Sequence, residues 1–175
     1  MKESLLHLHQ LLMPFGGLTT EEWAYLIDRL QKVIHHKNER IVKSQGDIYF
    51  VHSGIIVEQE EQETNRIVKS NQLIFIPITR SYAQLHTLTS CQLLLLDRKD
   101  LYHILARYPH TVALYDQLLQ KNSEEEAERL NFLKRDKKSR ITIFKASHRD
   151  VLPYMARKDI ASYLCISEEY LRKNF

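Results

Sequence analysis

Seven short β-rich runs between residues 39 and 97 constrain the fold more than any other feature of the chain. Turn signals such as Gln45-Gly46-Asp47 and Ser53-Gly54 separate the runs, and short strands at this spacing are typical of an antiparallel sandwich or barrel. The run at 93–96 is continuously apolar, which favours a strand buried on both faces. The predicted strands are 40–43, 48–52, 55–58, 66–69, 73–77, 84–89 and 92–96.

Helical periods lie on both sides of this β region. Residues 3–13 predict a first helix, and Thr19 with Glu22 three residues later forms the capping box of a second, which we expect to end at His35-His36. After the strands, the sequence predicts helices at 99–106, 111–135 and from 141. A heptad stripe predicts a homodimer through residues 111–135. Its members are Val112, Tyr115, Leu119, Asn122, Glu126, Arg129 and Leu133.

The last nineteen residues, 157–175, have the pattern of a helix-turn-helix. Ile160 and Leu164 share one helical face, and the period is then interrupted before Ser167, which is a good N-cap residue. Glu168 and Glu169 follow in the first turn, where the helix dipole favours negative charge. A second helix of this kind can enter the major groove of DNA. An ordinary helical hairpin within a globular domain is the alternative that this stretch alone leaves open.

The net charge of +3 conceals an asymmetry along the chain. Residues 134–175 contain eleven Lys or Arg and five Asp or Glu, a net charge of +6, whereas residues 1–133 carry −3. A basic segment that coincides with a helix-turn-helix is expected of a surface that approaches nucleic acid. A solvated basic surface would give the same count, so the asymmetry supports DNA binding without establishing it.

The order of these elements resembles the Crp/Fnr superfamily of bacterial transcription regulators. The resemblance implies an α+β fold: an N-terminal antiparallel, jelly-roll-like β-roll with flanking helices, a long connecting helix and a C-terminal all-α helix-turn-helix. The implied domains are a cyclic-nucleotide-binding-like sensor at 1–110, a dimerisation helix at 111–135 and a wingless DNA-binding domain, short for the family, at 136–175. The segments that carry the resemblance are 49–55 (Y-x-V-x-S-G-I), 78–83 (I-T-R-S-Y-A), 95–101 (L-L-D-R-K-D-L) followed by 107–109 (R-Y-P), and 159–167 (D-I-A-S-Y-L-x-I-S).

The resemblance implies a cytoplasmic regulator whose partner is double-stranded DNA. In this sequence Glu169 can accept a hydrogen bond from a cytosine amino group, and Lys173 can donate to guanine or to phosphate. Cys165 occupies the position of a turn glycine, and a cysteine there is strained if the position requires a positive φ. The implied DNA-contacting residues are Ser167, Glu168, Glu169, Tyr170, Arg172 and Lys173.

The predicted sensor departs from the family members that bind cyclic nucleotide. Arg80 and Ser81 match their phosphate-binding Arg-Ser, but the Phe-Gly-Glu run that precedes it is absent. Binding of cAMP is therefore not expected, and the effector is an unidentified small molecule or none. A rival interpretation is a ligand-binding or protein-interaction β-roll module with a degenerate DNA-binding end, and it is motivated by Cys165 and Arg172.

Other classes of protein receive little support from the sequence. A glycine-rich nucleotide loop and a nucleophile elbow are both missing, so an enzyme is not expected. The nine histidines are scattered rather than placed at metal-ligand spacing, and no cofactor or metal is expected. Cys91 and Cys165 lie in apolar settings, which predicts buried free thiols rather than a disulfide. No apolar run reaches membrane-spanning length, so no membrane partner is expected.

Overall fold

The computed structural model describes residues 2–61, 63–79 and 82–175, which form the predicted α+β arrangement of eight strands and seven α-helices. The strands are β1 (Gln31–His35), β2 (Arg40–Ile41), β3 (Ile48–Ser53), β4 (Ile56–Glu60), β5 (Glu63–Val68), β6 (Gln72–Phe75), β7 (Gln84–Thr87) and β8 (Cys91–Leu96). The helices are α1 (Lys2–Leu12), α2 (Thr20–Ile27), α3 (Arg98–Arg107), α4 (Thr111–Leu133), α5 (Lys137–Ser147), α6 (Arg157–Tyr163) and α7 (Glu168–Asn174).

The strands form two four-stranded antiparallel sheets that face each other. One sheet has the strand order β1-β8-β3-β6 and the other β2-β7-β4-β5. Consecutive strands repeatedly cross between the sheets, which gives the predicted jelly-roll-like β-roll. Ten buried side chains fill the space between the sheets: Ile41, Tyr49, Val51, Ile56, Val68, Ile74, Ile76, Leu85, Cys91 and Leu93.

Strand β8 is buried on both faces, as its apolar run predicted. Leu93 points between the two sheets, whereas Leu94 belongs to the core cluster that the first sheet forms with α1 to α4. Successive side chains of a strand point to opposite faces, so a strand between two cores must be apolar at consecutive positions. Burial of both leucines therefore confirms the assignment.

Strand β1 lies where the sequence predicted the end of a helix. Helix α2 stops at Ile27, and the chain then pairs with β8, with Val33 opposite Leu93. Val33 and Ile34 are β-branched and suit extended backbone. The prediction of a helix ending at His35-His36 was wrong, because so short an apolar pattern fits either period.

Capping residues define the starts of α2 and α5, of which the sequence predicted only the first correctly. The capping box of α2 is confirmed, because Thr19 accepts from the Glu22 amide and the Glu22 carboxylate accepts from the Thr19 amide. Helix α5 begins four residues earlier than predicted. The Asp136 carboxylate caps it by accepting from the amides of Lys138 and Ser139, each at 3.0 Å.

A third core cluster joins the C-terminal helices to the roll. Its roll members are Ile55, Val57 and Ile67, from β4, β5 and the residue that precedes β4. The members from α5 to α7 and the segments between these helices are Ile141, Phe144, Val151, Met155, Ile160, Ala161, Tyr163, Leu164 and Leu171. The segments predicted as separate sensor and DNA-binding domains therefore share one apolar interface.

The two cysteines are free thiols with different environments. Cys91 is buried at the start of β8, but Cys165 is exposed, so the prediction of two buried thiols was wrong for Cys165. Its position in the turn between α6 and α7 explains the difference, because turns run over the surface. None of the helices in the described residues is both long and apolar enough to span a bilayer.

We predict that Gly54→Ala destabilises the protein more than Gly16→Ala. Both glycines have positive φ, at +107° and +98°, so both alanines suffer backbone strain of about 1–2 kcal/mol. A Cβ at position 54 would also lie 2.4 Å from the Cys91 Sγ and 2.7 Å from the Ser90 carbonyl oxygen, whereas position 16 is open. This clash adds roughly 1–3 kcal/mol, and urea unfolding measures the difference. Equal losses of unfolding free energy would contradict the packing at Gly54.

Candidate nucleic-acid interface

Helices α6 and α7 form the predicted helix-turn-helix, and a Schellman motif makes the turn between them. The Ile166 amide donates to the Ala161 carbonyl at 3.0 Å, and the Cys165 amide donates to the Ser162 carbonyl at 2.9 Å. This pair of bonds places Cys165 in the left-handed region, with φ +49°. The turn position thus does require a positive φ, and a cysteine occupies a conformation that glycine adopts more readily.

Helix α7 begins at the predicted cap. Ser167 has extended backbone, and its hydroxyl accepts from the Tyr170 amide at 3.2 Å. Glu168 and Glu169 occupy the first turn, where the positive end of the helix dipole lies. Leu171 is 1% exposed and fixes the inner face of α7 in the third core cluster.

The predicted contact residues divide into an exposed set and one packed side chain. Tyr170 is half-buried, packs on the third core cluster and has the Lys137 Nζ 5.2 Å from its ring centroid. The remaining five lie on the solvent face of α7 or at its cap: Ser167, Glu168, Glu169, Arg172 and Lys173. Lys173 forms an ion pair with Glu169 one turn earlier, with a Nζ–Oε1 distance of 2.7 Å. The structure thus places all six on or beside one short helix.

Six further cations lie at the α4–α5 junction and at the start of α6, and sequence reasoning treated most of them only as part of a net charge. All six are exposed, and none has a carboxylate within 4.0 Å among the described residues. Lys137, which faces Tyr170, shows that the α4–α5 junction lies next to α7. The six cations are Lys134, Arg135, Lys137 and Lys138 at that junction, and Arg157 and Lys158 at the start of α6.

Two arginines, the buried Arg140 and the half-buried Arg129, donate hydrogen bonds to the turn. Arg140 of α5, 7% exposed, donates from Nη1 to the carbonyls of Leu164 at 2.5 Å and Cys165 at 3.5 Å. Arg129 of α4 donates from Nη2 to the Tyr163 carbonyl, and its guanidinium carbon lies 3.8 Å from the Tyr163 ring centroid. The carbonyls at the end of α6 form the negative end of its dipole, so both cations are favourably placed. Neither role has a local sequence signal, because the contacts span 24 and 34 residues.

Burial changes the ionisation of groups beside these arginines. Desolvation lowers the pKa of the Arg129 guanidinium below its usual value. His148 stacks on Phe144 with ring centroids 4.9 Å apart, and burial, with the positive charge of Lys69 nearby, lowers the pKa of His148 to about 4. His148 is therefore neutral at pH 7 and acts as a packing residue beneath the helix-turn-helix.

The predicted dimer stripe of α4 mostly faces its own chain. The ring of Tyr115 lies 6.3 Å from that of Phe75, Asn122 accepts from Arg66 at 3.0 Å, and Arg129 contacts the turn. Contacts with β5, β6 and α6 thus use the positions that heptad counting gave to a partner. The apolar side chains that α4 does expose are Val112, 40% exposed, and Leu130, 62% exposed.

The region that the sequence predicts as a sensor is filled and partly acidic where it is described. Arg80 and Ser81, the predicted effector-binding residues, lie outside the described residues. Between the sheets, Val51, Ile56 and Val68 are fully buried. An open cleft of about 700 Å³ lies between β5, α4 and the turn. Its lining has a net negative charge, because Arg66 and Arg129 are outnumbered by Glu58, Glu63, Glu125, Glu126 and Glu128. Such a cleft disfavours an anionic ligand.

Comparisons with known proteins identify the fold. No family model and no curated protein sequence matches the chain. A putative transcriptional regulator of the Crp/Fnr family from Eubacterium rectale superposes with a TM-score of 0.71 at 12% identity, over 89% of this chain and 81% of that one. CLP, a c-di-GMP-responsive global regulator of Xanthomonas campestris, gives 0.66 at 15% identity and covers 89% of both chains. FixK2 from Bradyrhizobium japonicum gives 0.66 at 16% identity, over 83% of this chain and 82% of that one.

We predict that Cys165→Gly stabilises the protein by about 0.5–1 kcal/mol. Glycine removes the left-handed strain of roughly 1–2 kcal/mol but gains more conformational entropy in the unfolded chain. Cys165→Ala is the matched control, because it removes the thiol and keeps the Cβ, and no gain is expected from it. Chemical denaturation of the three proteins measures the difference. An equal gain from alanine and glycine would show that the thiol, rather than the backbone, is the source of strain.

Proposed function

We propose that this chain, which has a Crp/Fnr-like fold, is a sequence-specific DNA-binding transcription regulator rather than an enzyme. The observation that carries the proposal is the exposed face of α7. A capped helix follows a tight turn, and its inner face is anchored by Leu171. Its outer face exposes Arg172 and Lys173, and the exposed Lys137 of the α4–α5 junction lies beside the helix. A major groove is wide enough to admit such a helix, and the surrounding cations can contact phosphates.

The residues of α7 take distinct roles in this proposal. Lys173 donates to guanine or to phosphate, Glu169 accepts from a cytosine amino group, and Arg172 supplies a second cation. In the free protein Glu169 and Lys173 neutralise each other. Exposed ion pairs of this kind contribute about 0–1 kcal/mol, so base contacts can replace the pair at small cost.

A cyclic nucleotide is not proposed as the effector. The space between the two sheets is occupied by ten side chains, and the open cleft near the turn carries five glutamates. Both features oppose the entry of a ligand with a phosphate group. The sequence argument from the missing Phe-Gly-Glu run points the same way.

A ligand-binding or protein-interaction module is the second candidate function. Glu168 and Glu169 at the start of α7 favour it, because two exposed carboxylates repel DNA phosphates unless each meets a donor. In this alternative α7 contacts a basic partner instead of DNA. Titration with DNA distinguishes the two candidates.

A homodimer is part of the proposed function, through the apolar edge that Val112 and Leu119 of the heptad stripe form with Leu130. Val112 and Leu130 are eighteen residues apart, which is five helical turns, so they lie on one side of the helix. Leu119 lies between them on nearly the same side and is half-buried. A second copy packed on this face would pair two recognition helices, which suits half-sites about 34 Å apart.

We predict that Lys173→Ala weakens DNA binding and that Glu169→Ala changes base preference. Loss of one phosphate contact should reduce the slope of log affinity against log salt by about one. Lys99→Ala, which removes an exposed lysine on α3, is the charge-matched control and should change neither quantity. Titration with a random DNA pool at several salt concentrations, followed by sequencing of the bound fraction, measures both effects. Absence of saturable, salt-dependent binding by the unaltered protein would eliminate the proposed function.

We also predict that Leu130→Glu dissociates the dimer, because it places a charge in the apolar seam. Val42→Glu is the matched control: Val42 is 85% exposed on the roll, away from α4. Sedimentation velocity over a concentration series gives the oligomeric state of each protein. If Leu130→Glu and the unaltered protein sediment identically, α4 is not the dimer seam.

A further inference from the structure

The helix-turn-helix completes its core with strands of the roll. Helices α5, α6 and α7 together are shorter than the domains that usually fold alone. Their inner faces pack in one apolar cluster with Ile55, Val57 and Ile67, and Val57 and Ile67 are 2% and 8% exposed. Removing the helices from the roll would therefore expose apolar surface on both sides of this contact.

Polar contacts fix the same helices on the β4–β5 hairpin. The Ser162 hydroxyl of α6 accepts from the Thr64 amide at 2.8 Å, and Asp159 accepts from the Gln59 side chain at 3.5 Å. Lys69 bridges to the end of α5, with bonds of 3.0 Å to Asp150 and 3.1 Å to the Ser147 carbonyl. These contacts are directional, so they define one orientation of the helices on the hairpin rather than a loose association.

Helix α4 ties the turn to the same strand. Arg129 reaches both the Tyr163 carbonyl of α6 and, at 3.2 Å, the Asn65 carbonyl of β5. Arg66 of β5 holds α4 in turn, through bonds of 3.0 Å to Asn122 and 3.0 Å to Glu125. Helix α4 is therefore hydrogen-bonded both to strand β5 and to the end of α6, where the turn begins.

These contacts leave the DNA-facing side of α7 free. Helix α7 joins the apolar cluster that it shares with the roll through Leu171 and Tyr170. Glu168, Glu169, Arg172 and Lys173 all face solvent while the helix-turn-helix is docked. The docked arrangement and an exposed recognition surface are therefore compatible.

We propose that the helix-turn-helix is fixed on the β4–β5 hairpin in an orientation that is already competent to bind DNA, so that operator binding requires neither an effector nor a swing of these helices. This inference rests on the proposed function and adds its mode of regulation. The amount of protein, rather than a ligand, then controls occupancy of the operator.

A disulfide across the contact tests the proposal. Thr64→Cys and Ser162→Cys introduce thiols at neighbouring positions of β5 and α6, and a Cys165→Ser background removes the exposed native thiol. The protein is refolded from denaturant without small molecules, and DNA affinity is measured oxidised and reduced. The reduced sample is the matched control, because it has the same sequence. We expect binding without any added ligand and oxidised and reduced affinities within about twofold of each other.

Three results would overturn the inference. A tenfold or greater loss of DNA affinity on oxidation, reversed by reduction, would show that the helices must leave the hairpin. Failure of the two cysteines to form a disulfide would show that the docked arrangement is not populated. Lack of DNA binding by the refolded protein, with binding restored by a cell extract passed through a small-molecule filter, would show that an effector is needed. The proposed function itself fails only if the unaltered protein binds no DNA under any of these conditions.

Discussion

The apolar contact between the β4–β5 hairpin and helices α5 to α7 is the interaction on which the rest of the structure depends. Val57 and Ile67 belong to strands of the roll, yet their side chains complete the core beneath the helix-turn-helix. Burial of a valine, leucine or isoleucine contributes about 1.5–3 kcal/mol each, and this contact removes such side chains from water on both surfaces. Helices too small to fold alone thus gain a core from the neighbouring sheet. Packing on the roll therefore sets their orientation.

The two arginines that contact the turn, Arg129 and Arg140, are consistent with this dependence. Moving a guanidinium out of water is unfavourable, and neither Arg129 nor Arg140 forms an ion pair with a carboxylate in the described residues. Their partners are instead carbonyls at the end of α6, where the helix dipole concentrates negative charge. These carbonyls lack partners within the helix, so each arginine satisfies groups that would otherwise be buried without hydrogen bonds. Both cations thus stabilise the turn in its present geometry.

The sequence predicts local features well and contacts between distant segments poorly. The capping box at Thr19, the cap at Ser167 and the two-sided burial of β8 follow from residues within a few positions of each other. Strand β1 was missed because its apolar residues fit a helix as well as a strand.

The contacts of α4 and the exposure of Cys165 both depend on tertiary structure. Heptad counting gave Tyr115, Asn122 and Arg129 to a partner because the pattern does not distinguish a second copy from the chain's own sheet. The positive φ of Cys165 was anticipated, whereas its exposure depends on how the turn sits on the roll. For the proposed DNA-binding surface, the sequence predicted the residues of α7 but not the cations of the α4–α5 junction. Contacts of these cations with phosphates do not depend on the base sequence. In the proposed function, affinity for any DNA would therefore come mainly from these cations, and discrimination between sequences would come from the few exposed side chains of α7.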